Sequence, residues 1–234
     1  MKTEYALYIE PWQMSLVNKI PEKISAIYLG SDVCEHKIPG IEDIKKATAM
    51  SEKIIIPIPP ATDIVLDRFS TLTEAALKVV RHLEITVNDI GAMYFFRTRF
   101  GNSIKLNIGR ILFFIWSKNT LEYNQQIFQE NKINSFETDE VDTANSCLAS
   151  RRFDIAFHYP YLLYSLTRMC VYSKGIKSKC DFECGHDIIR LGETDILWHG
   201  NAYYRKISKM PSKKPSRIIV PHYLLANPSI KQVG

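Results

Sequence analysis

Short apolar runs rich in Ile, Val, Tyr and Phe recur along the chain, separated by polar and turn-forming stretches. Seven of them, Glu4–Ile9, Ala26–Leu29, Lys53–Ile58, Glu84–Val87, Ile104–Asn107, Ile133–Phe136 and Phe153–Phe157, have the length and composition of strands. Between several of them lie segments of helical period. Ile41–Met50 follows Pro39-Gly40 and places Ile41, Ile44 and Ala47 on one face. Ser70–His82 opens on Ser/Thr cap candidates with Glu74 behind them, and carries Leu72, Ala75, Ala76, Val79 and Val80. Strand and helix in alternation predict parallel βαβ units. Their number favours a closed barrel over an open sheet, and the G-x-G-x-x-G turn of dinucleotide folds is absent. The expected fold is α/β: a small, irregular (β/α) TIM-like barrel over residues 1–205, with some helices missing or replaced by turns.

After Cys184 the pattern changes. Asp187–Leu191 and Asp195–Trp198, around Gly192, predict a β-hairpin. Met210–Arg217 is rich in Pro, Ser and Lys, so residues 206–234 read as a basic linker and C-terminal tail. Within that tail, Ile218–Leu225 is apolar enough to dock on the body or on a partner. The longest apolar runs, Ile90–Phe96 and Ile111–Trp116, are far shorter than the roughly 18 residues of a membrane span. The first ten residues do not resemble a signal peptide, which predicts a cytoplasmic protein. With 46% apolar residues among 234 the chain is not disordered, and its net charge of +5 is too diffuse to prove a polyanionic partner.

The five cysteines change the picture most. Cys170, Cys180 and Cys184 form C-x9-C-x3-C, and Cys34 lies just beyond the second predicted strand. A barrel gathers residues that follow different strands at its carboxyl-end rim, which would bring Cys34 and Cys170 together. Thiolates hold soft metals, so the set suits a 4Fe–4S cluster or a structural zinc. Zinc motifs usually pair ligands closely at both ends, and only Cys180 and Cys184 are that close. Five unliganded thiols are the third reading, and disulfides suit the expected compartment poorly.

Four segments together resemble the collagenase-like peptidase family, in particular its iron–sulfur UbiU/UbiV-like branch, and most closely UbiV. These are Ala26-Ile-Tyr-Leu-Gly-Ser-Asp-Val-Cys34, the turn Asn88-Asp-Ile-Gly91, Asp154-Ile-Ala-Phe-His158 with Tyr164–Cys170, and Cys180-Asp-Phe-Glu-Cys184. The resemblance spans about residues 5–205. It implies a 4Fe–4S cluster on Cys34, Cys170, Cys180 and Cys184, with Cys147 outside the set. It also implies oxygen-independent hydroxylation, of a ubiquinone-type precursor or of RNA bases, with prephenate as oxygen source, and a second family member as partner in a heteromer. Beside the enzyme reading stand a non-catalytic scaffold subunit and an RNA-modifying enzyme. Peptidase activity is not expected, because neither G-x-S-x-G nor H-E-x-x-H occurs.

Other candidates are weaker. His158, at a strand end, is either a proton carrier or a hydrogen-bonded rim residue. Arg110 either binds a carboxylate or phosphate, holding an anionic or hydroxylated substrate, or lies on the surface. Asn88 and Asp89 read as a turn, Tyr164 and Arg168 as supports for the cluster, and Glu137, Asp139, Glu140 and Asp142 mostly as a solvated acidic loop. The aromatic runs Tyr94–Phe96 and Phe113–Trp116 read as core or interface. Arg97 and Arg99 beside the first run leave nucleic acid open.

Overall fold

The computed structural model describes residues 2–15, 17, 24–117, 124–150, 153–167, 170, 180, 184, 188–225 and 230–233. In chain order the first half comprises β1 (Glu4–Ile9), β2 (Ile24–Leu29), α1 (Ile41–Thr48), β3 (Lys53–Ile58), α2 (Asp63–Ala76), β4 (His82–Val87), α3 (Ile90–Phe100), β5 (Lys105–Ile108) and α4 (Arg110–Ser117). Then come α5 (Gln125–Glu130), β6 (Ser135–Thr138), α6 (Val141–Ser150), β7 (Asp154–His158), β8 (Tyr161–Leu166), β9 (Ile188–Leu191) and β10 (Ile196–His199). β11 (Ala202–Lys206), β12 (Arg217–Pro221), α7 (His222–Leu225) and β13 (Ile230–Val233) follow. Eight parallel strands close into a barrel in the order β1-β12-β7-β6-β5-β4-β3-β2, and the other five form a separate sheet, β13-β9-β10-β11-β8. The fold is α/β with a TIM-like barrel, as the strand–helix alternation predicts. Among the described residues no helix is long and apolar enough to cross a membrane.

The side-chain alternation of each strand sorts the barrel into two environments. Leu7, Ile9, Ile27, Leu29, Ile54, Ile56, Ile85, Val87, Phe136 and Phe157 face outward and build one apolar layer with Ile44, Val65, Phe69, Phe96 and Phe113 of the helices. The alternate positions face inward, and many are polar: Glu84, Thr86, Asn107, Glu137, His158 and Arg217 are all buried. Tyr8 and Tyr28 share that interior. The helical shell covers the outside, so the barrel axis is where these polar side chains find partners.

Local chemistry explains where helices begin. Asp89 caps α3, its carboxylate accepting a 2.7 Å hydrogen bond from the Ala92 amide and a 3.0 Å bond from that of Ala61. α2 begins at Asp63, earlier than the Ser70 start predicted, because Thr62 adopts the extended N-cap backbone and Val65, Leu66 and Phe69 already face the barrel. A 3-10 turn, Pro11–Ser15, stands where the first helix would be. After β7 the helix position is taken by β8–β11, which include the predicted hairpin.

The small sheet caps the carboxyl-end mouth. Tyr161, Ile188, Leu197, Ala202 and Tyr204 join Tyr8, Tyr28 and Ile219 in one apolar cluster. Residues 206–234, predicted as linker and tail outside a barrel ending at 205, instead include β12, the eighth stave, between β1 and β7. The apolar run after Arg217 is therefore spent within the chain itself: Ile218, Ile219 and Leu224 are buried. It no longer argues for a docked partner.

Arg217 locks this last stave across the barrel. Its two terminal nitrogens donate to the two carboxylate oxygens of Glu84 at 2.9 Å each, Nη1 also donates to the Tyr28 hydroxyl at 3.0 Å, and Nε bonds Glu4. Burial opposes ionisation of Glu84, but the bonds from Arg217 outweigh it, with help from Lys105 and Asn107, and hold the carboxyl at about 2. Removing one member of such a pair leaves the other as a buried, uncompensated charge. Arg217→Met should lower stability by about 3–5 kcal/mol in urea unfolding at neutral pH. A depressed carboxyl stabilises the fold fully above its ordinary 4.5, and that stabilisation is lost as pH falls through about 2. Acid titration of the wild type should therefore show stability falling across that window. A flat profile in Glu84→Gln relative to wild type would confirm the source, and an identical profile would contradict it.

Candidate functional site

The loop after β2 organises the capped rim. Gly30 takes φ +133°, a conformation side chains rarely adopt, and turns the chain inward toward Asp32. The Asp32 amide donates to the Tyr8 hydroxyl at 2.7 Å, and that hydroxyl donates to Asp32 Oδ1 at 3.0 Å. Arg110, the first residue of α4, donates from Nε to Asp32 Oδ2 at 2.7 Å and from Nη1 to Asp139 Oδ2 at 3.3 Å. Asp139 Oδ2 also accepts the Leu163 amide of the capping sheet at 2.8 Å, and Tyr204 of that sheet places its ring centroid 5.8 Å from the guanidinium. Burial raises the Asp32 carboxyl, but Arg110 beside it wins and holds it below the usual range. Arg110 is thus not on the surface: it is buried beside two buried carboxylates. The observed geometry makes it the tie between α4, the β2 loop, β6 and the cap.

His158 ends β7 with Nε2 2.9 Å from Glu137 Oε2. The other oxygen of Glu137 accepts from Thr86 Oγ1 at 2.7 Å and from the Tyr28 hydroxyl at 2.8 Å. Tyr28 in turn accepts from Arg217, so a column of hydrogen bonds runs from Arg217 through Tyr28 and Glu137 to His158. Burial, reinforced by Glu137, pushes the Tyr28 phenol well above its ordinary value, which keeps it a donor. A carboxylate on one imidazole nitrogen fixes the ring's orientation and supports a proton on it. Glu137 and Asp139, predicted as part of a solvated loop, are instead buried, Glu137 on β6 inside the barrel and Asp139 just past it. The available signal was alternation: Glu137 follows outward-facing Phe136, as Glu84 and Thr86 flank outward-facing Ile85.

The cysteines fall into two environments. Cys147, on α6, lies in the apolar layer between barrel and helices, and burial raises its thiol. Cys34 lies past β2; burial pushes its thiol up to about 11, against the pull of Lys37 and of the His36 and Lys37 amides, which hydrogen-bond its sulfur. Cys184 is also raised by burial, and its charged neighbours are Lys37, Glu10, Cys180 and Cys170. Lys37 feels the charge of both Cys34 and Cys184. None of the five forms a disulfide. Among the described residues no group of three or more His, Cys, Asp or Glu is spaced to hold a metal ion. By donor type, thiols suit an iron–sulfur cluster, but among the described residues they are not spaced to hold one. Tyr164 of β8 is exposed, and Arg168 lies outside the described residues.

Asn88 stitches this rim. It follows β4, donates from Nδ2 to the Ile58 carbonyl at 2.9 Å, and accepts the Ile111 amide on Oδ1 at 3.1 Å. A Cβ at Gly109 would stand 2.3 Å from that Oδ1. Gly109→Ala should therefore cost about 1–3 kcal/mol in thermal or urea unfolding. The same substitution should cost less in an Asn88→Ala background. Equal costs in the two backgrounds would show that the clash is not what constrains Gly109.

Comparison of the chain with protein-family models, with curated proteins and with solved structures gives no match.

Proposed function

We propose that this chain is an iron–sulfur protein of the UbiV-like kind, with Cys34, Cys170, Cys180 and Cys184 as ligands of one 4Fe–4S cluster. We further infer that it serves oxygen-independent hydroxylation of an aromatic precursor as the cluster-bearing member of a heteromer. What supports the reading is the spacing of Cys170, Cys180 and Cys184 with Cys34 upstream just past β2, together with the pull of Lys37 on both Cys34 and Cys184. Burial favours the thiol at Cys34 and Cys184 and the pull of Lys37 opposes it; metal binding takes the thiolate. When bound, a 4Fe–4S cluster supplies one-electron transfer. The chain's own residues supply the rest: the small sheet shields the mouth from water, and Glu137 orients His158 so that its imidazole can hold or pass a proton.

A specific observation favours the subunit role over catalysis by this chain alone. Asp32 and Asp139 both face the single cation Arg110 inside the protein, and His158 is held by Glu137. Carboxylates outnumber the cation there, which suits a carrier of the cluster more than a grip on an anionic substrate.

The test is protein purified without oxygen, analysed for iron, sulfide and visible absorbance. Wild type should be brown, with iron and sulfide in equal amounts. Replacing Cys34, Cys170, Cys180 or Cys184 by Ala, one at a time, should remove most of the iron, and Cys147→Ala should keep it. Zinc without sulfide in the wild type would replace the cluster by a structural metal. Iron lost in Cys147→Ala and kept in Cys34→Ala would overturn the ligand assignment.

A further inference from the structure

We propose that the amino-end mouth of the barrel binds inorganic phosphate, with Lys2, Lys53 and Lys105 as its counter-charges and Asp154 as the acceptor of the anion's own proton. This mouth is at the opposite end of the barrel from the β2 loop that carries Cys34, and the proposal does not rest on the iron–sulfur reading.

The eight staves are parallel, so their first residues gather at one mouth. Alternation decides which of them face inward. Lys53 shares the inward side of β3 with Ile55, Lys105 that of β5 with Asn107, Ser135 that of β6 with Glu137, and Asp154 that of β7 with Ala156. Together with Lys2 ahead of β1 and Ser216 ahead of β12, they line a cavity of about 230 Å³. The buried guanidinium of Arg217 also borders it, already bound to Glu84 and Glu4. Pockets for drug-sized ligands begin at roughly 300 Å³, so this cavity suits a small ion and not a large cofactor.

Charge chooses the sign of that ion. Four cations line the cavity, and Glu4 and Asp154 stand against them, with Glu84 behind Arg217. Glu4 is engaged by Lys53 and Arg217, and Glu84 by Arg217 with Lys105 at 3.8 Å. The balance favours an anion. Among the described residues, the Lys2 ammonium, the Asp154 carboxylate and the Ser135 hydroxyl have no hydrogen-bond or ion-pair partner, although Ser135 is buried. A buried hydroxyl calls for a partner, and lysines act as point-charge contacts for phosphate.

Asp154 chooses among anions. A carboxylate accepts hydrogen bonds and donates none. Hydrogen phosphate keeps one O–H at neutral pH, which can donate to Asp154 while its other oxygens accept from the lysines and Ser135. Sulfate carries no proton at that pH, so one of its oxygens would face the carboxylate with nothing between them. The site therefore rejects sulfate through repulsion and a missing donor.

The experiment is calorimetric titration of the full chain with sodium phosphate and with sodium sulfate, at equal ionic strength and neutral pH. Wild type should bind one phosphate per chain and prefer it to sulfate by about tenfold or more. Lys2→Met and Lys105→Met should each weaken phosphate binding by about threefold to tenfold. Asp154→Asn supplies a donor, so sulfate should bind more tightly and the preference should collapse. Methyl phosphate, mostly stripped of its last proton at neutral pH, should bind as weakly as sulfate. Lack of saturable phosphate binding at millimolar concentrations overturns the proposal. Equal affinity of the wild type for phosphate and sulfate also overturns it, by marking a general cationic patch. Methyl phosphate bound as tightly as inorganic phosphate overturns it too, because the ligand's proton would then play no part. Where a variant fails to fold by circular dichroism, the wild-type preference between the anions decides.

Discussion

Closure of the barrel around a charged axis is the constraint on which the structure depends. Eight parallel strands clad in helices leave one place for polar side chains, the interior, and there each must find a partner or destabilise the fold. Arg217 meets that demand for β12. It reaches across to Glu84 of β4, to Glu4 of β1 and to Tyr28 of β2, so the stave that completes the ring is tied to staves on its far side as well as to its neighbours. The same column continues through Glu137 to His158. Fold and rim are thus one hydrogen-bonded system, and the orientation of the imidazole at the mouth depends on the charge that closes the bottom.

The barrel was legible because its outer layer obeys simple rules. Apolar residues at alternate strand positions, with helical stretches between, are what a sheet covered by helices requires, and the seven strands read from the pattern agree with β1–β7 to within a few residues. The eighth was hidden by composition. Pro211, Pro215 and four lysines in 206–215 look like a linker, and nothing local shows that Arg217–Pro221 pairs with strands more than two hundred and about sixty residues earlier. Non-local pairing leaves no local mark.

The rim was legible only in part. Spacing and resemblance singled out the cysteines, and the structure brings Cys34 and Cys184 to one lysine while Cys147 remains in the apolar layer. Lys37, Glu10 and His199 carried no signal, because their meeting depends on the cap folding over the mouth. Arg110 was singled out for charge, and its true setting between Asp32 and Asp139 could not be read without the register of β6. The acids of 137–142 illustrate the difficulty. As a run they look solvated, yet the strand's alternation sends Glu137 inward while Phe136 packs outward.

The position of β12 in the chain has a consequence for biosynthesis. β1 and β7 are made well before the strand that lies between them. A growing chain therefore carries two unpaired parallel edges, one from its first strand and one from its seventh, until Arg217–Pro221 has been synthesised. Open edges of that kind recruit other strands. The interval in which the polypeptide is most prone to mispair thus falls late in translation, after the capping sheet strands β8–β11 have been made, and chaperone dependence should concentrate there.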